Sequence, residues 1–159
     1  MLLQLWFWDE TGFSLRVIKR KNWCKKGTRK KVRGNRRKGR INVMGGLRYS
    51  DKKRWVEFIK KGDAKNFYEV MKEFYKGLIN EWVEEGNKAE EFEKKGPRIV
   101  IILDNASFHK NQETNKKITE EMPNIRLEFL PEYSPDYNLI ELVWHRNVES
   151  CNKTLHLSL

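Results

Sequence analysis

The stretch "RIVIILD", residues 98–104, decides the fold. Five consecutive apolar side chains, Ile99 to Leu103, imply a strand buried on both faces, as in the middle of a sheet. The run starts behind Gly96-Pro97 and stops at Asp104. A helical segment is expected at about 111–121, then Pro123, then a strand at 125–130, "IRLEFL". Strand, helix and strand in succession imply a crossover and a parallel pair.

Upstream, the periods differ. Residues 3–9, "LQLWFWD", read as a first strand closing on Asp9. Residues 14–20, "SLRVIKR", alternate apolar and basic, as a half-exposed strand would. The Gly-punctuated segment 21–39 reads as a hairpin or long loop. "RINVMGGLR", 40–48, reads as a further strand whose end Gly45-Gly46 would weaken, and "RWVEFI", 54–59, as a short one. From Asp63 the spacing becomes helical. Phe67, Val70, Met71, Phe74, Tyr75, Leu78, Ile79, Trp82 and Val83 form one stripe of a helix of about twenty residues, with Asp63 as N-cap. Those aromatics read as core packing. Residues 86–97 read as a loop, and a last helix is expected from about Leu139 to Ser150. The expected fold is one α/β domain over 1–159. Its mixed sheet has antiparallel early strands followed by parallel ones, flanked by helices.

The 159 residues suffice for one domain with a core. No apolar run reaches the roughly 20 residues that span a bilayer, and the apolar start meets an acid at Asp9, too early for a signal peptide. A cytoplasmic, nucleoid-associated protein with no membrane partner is expected. Cys24 and Cys151 lack metal-ligand spacing and read as reduced thiols. The net charge of +11 points to a polyanionic partner. Between Thr11 and Ser50 stand fifteen Lys and Arg and not one Asp or Glu. Within this segment Lys25, Lys26, Arg29, Lys30, Lys31, Arg33, Arg36, Arg37 and Lys38 are the candidate nucleic-acid phosphate contacts. A solvated basic loop is the plain alternative.

Three acids fall at expected element ends: Asp9, Asp104 and Glu141. Ligands bind at the C-terminal ends of strands in open α/β sheets. If the first and the central strand are neighbours, Asp9 and Asp104 meet, and the last helix can bring Glu141 to them. Converging carboxylates repel one another unless a cation neutralises them. Hard oxygen donors suit Mg²⁺ or Mn²⁺, and a pair of such ions can clamp the two oxygens exchanged at a phosphodiester. Each acid has an ordinary alternative. Asp9-Glu10-Thr11-Gly12 could be a turn, and Asp104-Asn105 could begin a turn or a cap after the strand. Asn138 and Glu141 have capping-box spacing, with Tyr137 against Leu142 as a hydrophobic staple.

"LDNASFH" (103–109) and "LPEYSPDYNLIELVW" (130–144) resemble the motifs of the IS630 family of transposases, in the wider IS630/Tc1/mariner group. "FWDETGF" (7–13) resembles the strand bearing that family's first catalytic Asp, and "NWCKKGTRKKV" (22–32) its Trp-x-x-x-Gly element. The resemblance implies an RNase H-like DDE catalytic domain, with Asp9, Asp104 and Glu141 as metal ligands; Leu139 stands where that family usually has Pro. It implies two Mg²⁺ or Mn²⁺ ions, hydrolysis at transposon ends, strand transfer into target DNA, and a homodimer on DNA. Family members carry N-terminal helix-turn-helix modules, so a separate DNA-binding polypeptide is a further expected partner, and the sequence after Trp144 reads as truncated. The alternative expectation is a catalytically silent remnant held to DNA by its basic 16–40 segment. A third is an RNase H-like nuclease with another substrate. Asn105 and His109 are expected to support the site. Glu10 is expected to face away from Asp9, and Asp136 to be a turn acid.

Overall fold

The computed structural model describes residues 2–14, 26, 39–107, 109–131 and 137–145. Five strands form one sheet in the order β3-β2-β1-β4-β5. They are β1 (Leu3–Ser14), β2 (Arg40–Arg48), β3 (Arg54–Ile59), β4 (Arg98–Leu103) and β5 (Ile125–Phe129). β1, β2 and β3 are antiparallel neighbours. β4 lies parallel to β1 on one side and to β5 on the other. This is the mixed RNase H-like sheet expected from the sequence, with the first and central strands side by side.

The helix α1 (Ala64–Glu84) starts where Asp63 Oδ1 accepts from Asn66 N at 2.9 Å. It lays Phe67, Val70, Met71, Phe74, Tyr75 and Leu78 on one face of the sheet. There they meet Trp6, Trp8, Ile99, Ile101 and Leu103. Phe74 stands edge-on to Trp6 at 4.8 Å and to Trp8 at 4.9 Å, a favourable aromatic arrangement. Val83, expected in the stripe, lies at the helix end and is exposed.

Three local expectations are corrected. β1 does not close on Asp9; it continues to Ser14, because residues 6–14 pair in register with residues 48–40 of β2. The turn reading of Asp9-Glu10-Thr11-Gly12 fails with it. β2 spans Arg40–Arg48 as expected, through Gly45-Gly46. Residues 86–97 are not all loop: a 3-10 turn at Ala89–Glu91 leads into the short helix α2 (Phe92–Lys95), which buries Phe92 in the main core. Of the strand expected over 14–20, Ser14 ends β1; its residues 15–20, the segment 21–38 apart from Lys26, both cysteines and Asp136 lie outside the described residues.

The helix α3 (Gln112–Glu121) crosses from β4 to β5, capped by Asn111 Oδ1 on Thr114 N at 2.9 Å. The last helix, α4, is described over residues 140–145. Its Ile140 and Trp144 cover the other sheet face, against Phe7, Val43 and Leu47.

Candidate active site

Strand alternation and register bring Asp9 and Asp104 together in the middle of the sheet, at the C-terminal end of β4. β1 and β4 pair as far as Phe7↔Ile102. Two residues further, the same register sets Asp9 opposite Asp104. Alternation puts Asp9 on the face of Leu5 and Phe7, the face covered by α4. Glu141 sits in the first turn of that helix and is exposed.

Asp9 is 8% exposed. Its pKa rises from the ordinary 3.8 to about 7. Burial is the largest cause; a backbone hydrogen bond at Glu10 opposes it, and the charges of Glu141, Asp104 and Glu10 add to it. Glu141 and Asp104 are therefore electrostatic neighbours of Asp9. The three acids approach without closing into one coordination sphere: among the described residues no group of three His, Cys, Asp or Glu stands close enough to hold an ion. Asp104 is drawn toward His109, and Glu141 faces solvent. The donor set nevertheless suits a hard divalent cation. It offers carboxylate oxygens, one buried at a cost in free energy, and among the described residues no ion pair satisfies Asp9 or Glu141.

Asp104 Oδ1 lies 2.7 Å from His109 Nδ1 and accepts from Ala106 N at 3.1 Å. The hydrogen bond to His109 is the main reason its pKa falls below the ordinary value. His109 is 1% exposed and packs at a tilt against Phe67, ring centres 4.8 Å apart. Its Nε2 lies 3.3 Å from Glu10 Oε1, an ion-pair contact. Burial disfavours charge on this imidazole, but Asp104 and Glu10 together outweigh it and raise its pKa. Asn105 Nδ2 donates to the Leu130 carbonyl, tying the loop after β4 to the end of β5.

The capping-box expectation is overturned. Asn138 does not cap α4 with its side chain; its Nδ2 donates to the Trp8 carbonyl at 2.9 Å, next to Asp9. The bond to Glu141 N comes from the Asn138 backbone carbonyl, at 3.1 Å. Tyr137 and Leu142 form no staple, being 69% and 63% exposed. One turn beyond Glu141, Trp144 lies on Gly45, the residue paired with Asp9. A β-carbon at Gly45 would meet Trp144 Cη2 at 2.9 Å and the Trp55 carbonyl at 2.7 Å. Asn138 and Gly45 thus fix α4 over Asp9, a role the sequence did not disclose. The glycine itself was the available signal, since a strand glycine often marks close approach. Of the nine basic candidates only Lys26 lies among the described residues, and it is exposed.

A mixed sheet of this order, with acids where the central strands β1 and β4 adjoin and a covering helix carrying a third, defines an RNase H-like domain. The chain belongs to the DDE superfamily endonuclease family, whose pattern it matches over residues 4–158. Its fold is similar to that of the pre-cleavage Mos1 transpososome, with TM-score 0.61 at 19% identity over 96% of this chain and 47% of that one. It is similar also to the mariner Mos1 paired-end complex with Mg, with TM-score 0.55 at 17% identity over 96% and 47%. The Mos1 paired-end complex with the left transposon end gives TM-score 0.54 at 20% identity over 96% and 46%. The chain spans about half the length of these structures. No curated protein sequence matches it.

Proposed function

We propose that this chain is the catalytic domain of an IS630-type transposase. It hydrolyses DNA phosphodiester bonds at transposon ends and joins the freed 3′ ends to target DNA. Asp9, Asp104 and Glu141 are its metal ligands. The observation that carries this reading is the buried Asp9 carboxylate, set in register with Asp104 and raised in pKa with its neighbours' charges contributing. Such a carboxylate is relieved by a cation.

When bound, Mg²⁺ or Mn²⁺ activates the attacking oxygen and stabilises the departing 3′ oxygen. The chain's own residues prepare for this. Asp9 offers an oxygen from a rigid strand. His109 and Ala106 N engage one oxygen of Asp104. Asn138 and the Trp144–Gly45 contact hold Glu141 over the pair. In hydrolysis a water oxygen bonds to phosphorus, the bond from phosphorus to the 3′ oxygen breaks, and that oxygen takes up a proton. In transfer the freed 3′-hydroxyl oxygen bonds to a target phosphorus, the bond from that phosphorus to its own 3′ oxygen breaks, and the displaced oxygen takes up the proton. The basic residues from Lys25 to Lys38 hold DNA phosphates, the working unit is a homodimer on DNA, and a separate polypeptide can supply end recognition.

The test is nicking of supercoiled plasmid by the purified chain in Mn²⁺, with an RNA–DNA hybrid offered alongside. Nicking that disappears in EDTA and in Asp104→Asn is the expected result. Undiminished nicking by Asp104→Asn refutes the ligand assignment. Preference for the hybrid favours another nuclease, and binding without cleavage favours the silent remnant.

A further inference from the structure

We propose that Glu10 is a positioning residue, which holds the His109 ring so that His109 in turn holds Asp104. The inference rests on the reading of Asp104 as a metal ligand. Alternation along β1 turns Glu10 from the face of Asp9 to the face of α1. There its Oε1 reaches His109 Nε2 at 3.3 Å, while the opposite ring nitrogen reaches Asp104 Oδ1 at 2.7 Å. The ring is rigid and nearly fully buried, with Phe67 against it. Fixing one edge therefore aims the other.

Asp104 needs such a support. It lies beyond the last residue of β4, past the end of the paired ladder. Its carboxylate is directed by Ala106 N and His109, both on Oδ1. Oδ2 is left to turn toward a ligand. Outer partners that orient a ligating group are commonly worth tenfold or more in metal affinity.

Glu10 is itself confined. A β-carbon on Gly62 would fall on Glu10 Oε2, so the carboxylate rests directly against the link between β3 and α1. Arg40 and Lys61 line the same cleft of about 410 Å³. Among the described residues neither forms an ion pair with Glu10, whose charged contact is His109.

The test compares Mn²⁺ affinity, read by electron paramagnetic resonance, in wild type, Glu10→Ala, Gly62→Ala and Asp104→Asn. Metal-free ¹⁵N NMR of labelled histidine accompanies it. Glu10→Ala is expected to weaken Mn²⁺ binding about tenfold and to shift the His109 Nε2 signal. Gly62→Ala keeps every charge but displaces the carboxylate, and is expected to act in the same direction. Glu10→Ala and Gly62→Ala binding within about twofold of wild type, while Asp104→Asn loses the ion, overturns the proposal and leaves the reading of Asp104 intact. Unchanged binding in Asp104→Asn overturns that reading instead. An unmoved His109 signal in Glu10→Ala overturns the proposal whatever the metal does.

Discussion

Asp9→Asn is expected to stabilise the metal-free protein, and to do so more as pH rises. The fold disfavours the ionised carboxylate, so the folded protein keeps its proton to higher pH than the unfolded chain does. No penalty exists below the ordinary value of 3.8; it grows as pH rises and is complete once pH has passed about 7. A rise from 3.8 to about 7 corresponds to on the order of 4 kcal/mol. Roughly 3 kcal/mol of that develops between about pH 5 and pH 8. For a domain of this size, each kcal/mol moves the melting point by roughly 2–4 °C. The gap between Asp9→Asn and wild type should therefore widen by roughly 6–12 °C over that range. Thermal melts in EDTA at several pH values measure it, and comparing the two proteins cancels the titration of other groups. A gap that stays constant from pH 5 to pH 8 would refute the account of Asp9 as a carboxylate strained by burial and like charge.

Gly45→Ala should cost about 1–3 kcal/mol by overpacking Trp144, and should lower Mn²⁺ affinity by shifting Glu141; calorimetric titration beside a urea melt separates the two effects. Asn138→Ala should cost about 1–2 kcal/mol, because the Trp8 carbonyl loses its buried partner; equilibrium unfolding reads this directly. Arg48→Ala should destabilise by about 1–2 kcal/mol, since the buried Arg48 loses its bonds to Asp51 at 2.6 Å and Glu81 at 2.8 Å, while both acids keep solvent contact. That network holds no acid of the candidate site, so Mn²⁺ affinity of the folded fraction should be unchanged.

The sheet was legible wherever one short pattern carried the signal. "RIVIILD" announced β4, and the stripe from Phe67 to Leu78 announced α1 with its cap. The neighbouring of β1 and β4 entered only as a condition, because pairing partners depend on contacts some ninety residues apart. The end of β1 was misread for a related reason. Asp9-Glu10-Thr11-Gly12 has turn chemistry locally, and only pairing with β2 makes it a strand. Phe92 was hidden because a lone aromatic among charges shows no period. Asn138 illustrates the same limit at the site. Its spacing to Glu141 fits a local cap, yet the Trp8 carbonyl, 130 positions away, takes its amide. Glu10 was expected to face away from Asp9, and it does; what lay on the other side, His109, could not be read from β1 alone.

The in-step pairing of β1 with β4 makes this domain tolerant of one kind of genetic drift and intolerant of another. Most exchanges of one apolar residue for another along either strand leave the two aspartates abreast. Losing or gaining a single codon within β1 before Asp9 turns its carboxylate through to the opposite side and puts the adjacent residue in its place. Lineages descended from this gene should therefore vary freely in the spelling of the strand and hardly at all in its length.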